Sequence, residues 1–247
     1  MEFSPIAPNL WIGNSPEFGN YNHDIVYNLL KSIDINFSSC LEVAPFSTCE
    51  CYIMYHPDFP MCSKIENRHI IFLNTSDNYW SQWTYQFSHE YCHHLINRDM
   101  SGEFKGLKWF EETICELSSM YHLHRLHEQW INSANPIQCC YAPYLKDYKD
   151  NLLSKHSQLF SATSHPGFLQ SWLPILNEPT YHRDYYNTLA AKMFPLFVEN
   201  PFLWKIILHF GDTCKWSSLN ELFEHLHVQA DNSYAYSLKN LNNLLLS

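Results

Sequence analysis

The strongest constraint in this sequence is a pair of long helical periods separated by a short break. Over residues 79–96, Trp80, Trp83, Phe87, Tyr91 and Leu95 recur every three or four positions, which places them on one face of an α-helix. Thr75, Ser76 and Asp77 precede that run with N-cap chemistry. After a loop containing Ser101, Gly102 and Gly106, a second period covers 107–129, with Phe110, Ile114, Leu117 and Tyr121 at core spacing and Pro136 beyond it.

Ahead of these helices the chain reads differently. Pro5, Pro8, Gly13, Pro16 and Gly19 mark turns, and the runs 51–55 and 69–73 predict strands of a small sheet. Ile25, Leu29, Leu30 and Ile33 predict a helix packed on it. Residues 144–247 read as several helices broken by Pro166-Gly167, Pro174, Pro179, Pro201 and Gly211, ending in a leucine-rich helix that docks on the core. The expected class is α+β: a lobe of residues 1–97 with sheet and first long helix, and a helical lobe of 98–247, forming one compact unit.

Composition removes several kinds of partner. A net charge of −10 argues against nucleic acid or an anionic membrane, both of which select clustered Lys and Arg. The apolar stretch 193–210 is broken by Pro195, Glu199, Asn200, Pro201 and Lys205, which predicts two packed helices rather than a membrane span. The start MEFSPIAPNLWIG lacks the basic and apolar regions of a secretory signal. Nine cysteines, with Cys92 and Cys115 inside predicted helices, suit buried thiols in a reducing compartment, so a cytoplasmic location is expected. Cys40, Cys49, Cys51 and Cys62 do not follow a paired Cys-x2-Cys pattern, and a structural metal among them is the lesser reading.

The first helical period also carries His89-Glu90-Tyr91-Cys92-His93, an HExxH motif. Histidines four apart project from one helix face and can converge on one zinc ion, leaving Glu90 beside the open position. There a carboxylate can take the proton of a metal-bound water and pass it to a leaving amine. A catalytic zinc needs a third protein ligand, and Glu111 and Glu112 on the next helix both offer one. Their side chains point about 100° apart, so only one is expected to face the first helix; spacing to His93 and a face shared with Glu116 favour Glu112. By the same angle His94 diverges from His93 and is expected to be structural or cleft-lining.

Eighteen residues separate His93 from Glu112, and the segment Trp109-Phe110-Glu111-Glu112 resembles the glutamate-ligand segment of aminopeptidase-N-like gluzincins. Thermolysin-like gluzincins are similar in spacing. The resemblance covers about residues 68–120 and implies a zincin-like fold, a zinc centre of His89, His93 and Glu112, Glu90 as general base, and Glu116 as the acid that orients a zinc-bound histidine. It also implies that the strand 69–73 lies at a sheet edge where an extended peptide can pair. An oxyanion-stabilising Tyr or His from a later helix is implied as well, with Tyr181, His182, Arg183, Tyr185 and Tyr186 forming the attractive cluster. Thr113 stands where aminopeptidase-N-like enzymes have Gly, and no Gly-x-Met-Glu-Asn segment occurs upstream, so the likeness extends to metal site and reaction rather than to amino-terminal specificity.

The resulting expectation is a zinc-dependent hydrolase acting on a peptide or protein substrate. The alternatives are a zinc-binding regulatory protein with little turnover and a hydrolase of non-peptide amides. Glu90 argues against the first, because a purely structural site normally closes its fourth position with a protein ligand. His122, His124, His127, His225 and His227 lack acidic partners at ligand spacing and are expected at the surface.

Overall fold

The computed structural model describes residues 2–42, 49–98, 106–212 and 215–246. Five strands, β1 (Phe3–Ala7), β2 (Leu10–Gly13), β3 (Glu50–Tyr55), β4 (Met61–Ile65) and β5 (Arg68–Leu73), form one sheet in the order β1-β2-β3-β5-β4. β2, β3 and β5 run parallel, while β1 and β4 are antiparallel to their neighbours. The parallel step from β2 to β3 is made through α1 (His23–Leu41), whose first turn is capped by Asn22 accepting from the Ile25 amide at 3.1 Å. Ile25, Val26, Leu29, Leu30, Ile33 and Phe37 are the buried face of this helix. The expected strands and helix are present. The strand at 69–73 is however interior: β5 lies between β3 and β4, and β4 is the edge.

α2 (Trp80–Asn97) and α3 (Lys108–Trp130) are the two helices read from the paired periods. In α2 the expected stripe is buried, and so is most of the rest; only Gln82, His93 and Asn97 escape full burial. Small polar side chains let α3 approach closely. Ser118 and Ser119 each donate to a backbone carbonyl of α2, at Ser88 and Tyr85, both at 2.8 Å. Thr75, Ser76 and Asp77 do not cap α2, whose N-cap residue is Tyr79. Asp77 is instead left-handed (φ 49°) and its carboxylate accepts from the Asn20 amide at 2.8 Å, tying the loop after β2 to the start of α2. Ser101 and Gly102 of the expected loop lie outside the described residues.

The remaining helices are α4 (Pro136–Ser154), α5 (Ser157–Ala162), α6 (Phe168–Leu176), α7 (Arg183–Glu199), α8 (Leu219–Gln229) and α9 (Ala235–Leu246). The stretch 193–210 is the end of α7 followed by a 3-10 segment, Pro201–Asp212. α9 docks through Leu238, Leu241 and Leu245, as its leucines predict. Among the described residues no helix is long and apolar enough to cross a membrane. The architecture is therefore α+β, with a small sheet in the first third and helices after it.

Three histidine expectations change. His124 has an acidic partner at helical spacing, Glu128, whose Oε1 is 3.5 Å from its Nε2. His122 is buried: its Nδ1 donates to the Ser118 carbonyl at 2.9 Å and its ring packs on Phe37, because α3 is enclosed on that side by α1 and the 3-10 segment. His225 does have an acidic partner, Asp212 at 2.6 Å, which also pairs with His209; the partner comes from a separate segment, where helical spacing does not reveal it.

Candidate active site

A cleft of about 1320 Å³ runs between the edge strand β4, α2, the start of α3, and the chain entering α7. Its walls include Met61, Cys62, His89, Glu90, His93, Glu112, Tyr181 and Arg183. His89 and His93 are one helical turn apart on α2. Tyr85 lies one turn before them, so the i, i+4, i+8 row of one face reaches the cleft.

Glu112 stands across from both histidines. Its Oε2 is 3.5 Å from His89 Nε2 and 3.5 Å from His93 Nε2. Donors about 2.0–2.1 Å from a tetrahedral ion lie about 3.3–3.4 Å from one another, so these separations fit the space around a single zinc. Cys115 also has its sulfur within 4.8 Å of a nitrogen on each histidine. It is fully buried, however, and burial pushes its thiol well above the ordinary range, whereas Glu112 reaches the cleft.

The outer groups are divided between two carboxylates. Glu111 Oε1 is 2.7 Å from His93 Nδ1 and accepts from Asn97 Nδ2 at 2.6 Å. Glu116, fully buried, has Oε1 3.9 Å from His89 Nδ1. Thus Glu111 and Glu112 both face α2, contrary to the angular expectation: Glu112 meets the Nε2 edges while Glu111 reaches sideways to the Nδ1 edge of His93. Glu116 is held in turn by Tyr85, whose hydroxyl donates to Oε2 at 2.5 Å, and by Arg183, whose Nε donates to Oε1 at 2.9 Å. Arg183 also bonds the Tyr85 hydroxyl.

Charge at the site is strongly coupled. Burial alone would raise Glu112, but bonds from His89 and His93 override it and hold the carboxyl well below the usual range. Burial would lower His93; Glu111 and Glu112 override that and raise it well above its ordinary value. His89 is raised in the same way, with burial opposed first by Glu112 and then by Glu116. Burial raises Glu90, with the nearby imidazoles partly offsetting it. A carboxylate raised by desolvation is a better proton acceptor than one in water.

His89, Glu90, His93, Glu112 and Glu116 are thus brought together. Of the later-helix candidates, Tyr181 and Arg183 line the cleft, and the Tyr181 hydroxyl is 3.5 Å from Glu116. Tyr186 is buried against Tyr181, Tyr185 packs on Trp172, and His182 pairs with Glu178 at 3.1 Å. Glu111, a rival for the third ligand position in the sequence, serves His93 Nδ1 instead. Tyr85 is a site residue the sequence reading does not single out; the four-residue step from Tyr85 to His89 is the signal that points to it. His94 turns away from the cleft centre to His69, as its angle predicts. No protein-family model matches the chain, and the curated proteins contain no match to it.

Proposed function

We propose that this chain is a zincin-like, zinc-dependent hydrolase that cleaves peptide bonds, with the metal held by His89, His93 and Glu112. The observation that carries this reading is the convergence of the two histidines on Glu112, whose Oε2 lies 3.5 Å from the Nε2 atom of each, in the lining of an open cleft. When bound, zinc polarises a substrate carbonyl and acidifies a water. Glu90, on the same helix face region and desolvated, accepts the water's proton and returns it to the departing nitrogen. Glu111 fixes the ring of His93 through its Nδ1, and Glu116 stands beside that of His89. Tyr181, rather than Tyr185, Tyr186 or His182, is the hydroxyl placed to donate to an oxyanion in the cleft.

The substrate backbone pairs with the outer edge of β4. Met61 and Cys62 of that strand line the cleft, and an extended peptide laid along a sheet edge is aligned by main-chain hydrogen bonds. A cytoplasmic setting is part of this reading, supported by the lack of disulfides among the eight described cysteines. The placement of Glu90 in the cleft favours turnover over a purely structural zinc.

The test is zinc content per chain with hydrolysis of a quenched-peptide mixture. Wild type is expected to hold zinc at the site and to cleave; Glu112→Ala loses that zinc and all cleavage, and Glu90→Gln keeps the zinc and loses cleavage. A wild type whose zinc content is unaffected by Glu112→Ala and His89→Ala together would overturn the reading.

A further inference from the structure

A second group of metal-type donors lies where the sheet meets α2. Cys49, at the entry to β3, His69 in β5 and His94 on α2 each place a ligand atom within 4.8 Å of the other two, and all three residues are buried. His69 and His94 face one another through Nδ1 at 2.7 Å, with ring planes at 83°. One proton lies between those nitrogens. His69 Nε2 then remains buried with no hydrogen-bond partner among the described residues, whichever imidazole donates. Proteins seldom leave such an atom unmatched, and a buried imidazole with an unmatched nitrogen beside a sulfur and a second imidazole is a donor set for a thiophilic cation.

We propose that Cys49, His69 and His94 form a second, structural site for a thiophilic divalent cation, zinc by preference, which clamps β3 and β5 to the sheet-facing side of α2. It shares no ligand with the proposed catalytic centre. Binding releases the proton that the Cys49 thiol donates to the Asn67 carbonyl (Sγ to O 3.6 Å); the Nδ1–H···Nδ1 hydrogen bond between the imidazoles breaks, and each neutral ring keeps its one proton on the nitrogen turned away from the ion and coordinates through the other. Cys51, the cross-strand partner of His69, is buried on a strand about 4.8 Å away and is the candidate for the fourth position. Sequence spacing conceals this group, because its members come from three separate elements.

Cobalt(II) distinguishes the two sites, since only thiolate ligation gives a sulfur-to-cobalt charge-transfer band in the near ultraviolet. The full chain is stripped with a chelator, reloaded with cobalt(II) or zinc(II), and checked for fold by circular dichroism. The expected wild-type result is two ions per chain and the thiolate band. Cys49→Ser and His69→Gln should each lower the count from two to one, and Cys49→Ser should abolish the band. Glu112→Ala should also lower the count to one but keep the band, and Cys115→Ser should change neither. His69→Gln carries the test on stoichiometry should Cys49→Ser not fold. A count unaltered by Cys49→Ser and His69→Gln, or a band that follows Cys115 instead, would overturn the proposal. A wild type that binds one ion per chain, with the band present and the count unchanged by Glu112→Ala, would overturn only the hydrolase reading.

Discussion

Within the proposed site, Glu90 and Glu111 have roles that single substitutions test. Glu90→Gln removes a proton acceptor while leaving His89, His93 and Glu112 in place; peptide cleavage is expected to fall about 10²- to 10⁴-fold with zinc content unchanged. Cleavage within tenfold of wild type would rule out Glu90 as the base. Glu111→Gln leaves the ligands intact but weakens the acceptor at His93 Nδ1, so zinc affinity should fall about 10- to 100-fold in a competition titration. An unchanged affinity would reduce Glu111 to packing. His89, Glu90, His93 and Glu112 were legible in the sequence because ligand convergence on a helix follows directly from a four-residue step. Glu111 was not, because an angle measured at Cα ignores the reach of a long side chain with three rotatable bonds. Glu111 and Glu112 diverge at the backbone and still find different edges of one histidine.

Between elements, the Glu116–Arg183 pair joins α3 to the start of α7. Glu116 is fully buried while the Arg183 side chain is about half exposed, so removing the cation leaves that carboxylate to the Tyr85 and Tyr181 hydroxyls and the His89 imidazole 3.9 Å away. Arg183→Gln is expected to lower stability by about 1–3 kcal/mol in urea unfolding. Adding Glu116→Gln should recover part of that loss, since the stranded charge is then gone; full additivity of the two substitutions would show that the pair is uncoupled. α2, α3 and α9, whose periods are strong, can be read from sequence within two residues of their ends, whereas the period at 25–33 covers only part of α1, which runs on to Leu41. The edge strand β4 could not, because Met61, Cys62, Ser63 and Lys64 show neither clean alternation nor an apolar run. Asp77 misled for a related reason: a residue suited to a helix cap was taken up by the Asn20 amide from a distant loop.

At the scale of the molecule, burial of neutral histidines sets the acid limit of stability. Burial lowers His69 to about 4 and His122 to about 3. Both sit below the unfolded value of about 6.5, so their contribution is fully present above pH 6.5 and is lost as pH falls towards the folded values. His122→Phe, packed against Phe37 and Trp204, should therefore flatten the pH dependence of stability between about 6.5 and 4 by up to about 1.4 kcal/mol per pH unit. Parallel curves for the two proteins, measured by urea unfolding at each pH, would contradict the assignment. The reach of Arg183 back to Glu116 has a further consequence, in the order of synthesis. The two residues are 67 positions apart, so at about 5–20 residues per second a growing chain completes the carboxylate roughly 3–13 s before its cation is made. During that interval the helix pair carrying His89, His93 and Glu112 lacks the charge that later steadies Glu116, so on the proposed reading an ion taken up by the nascent chain would precede packing of its final helices.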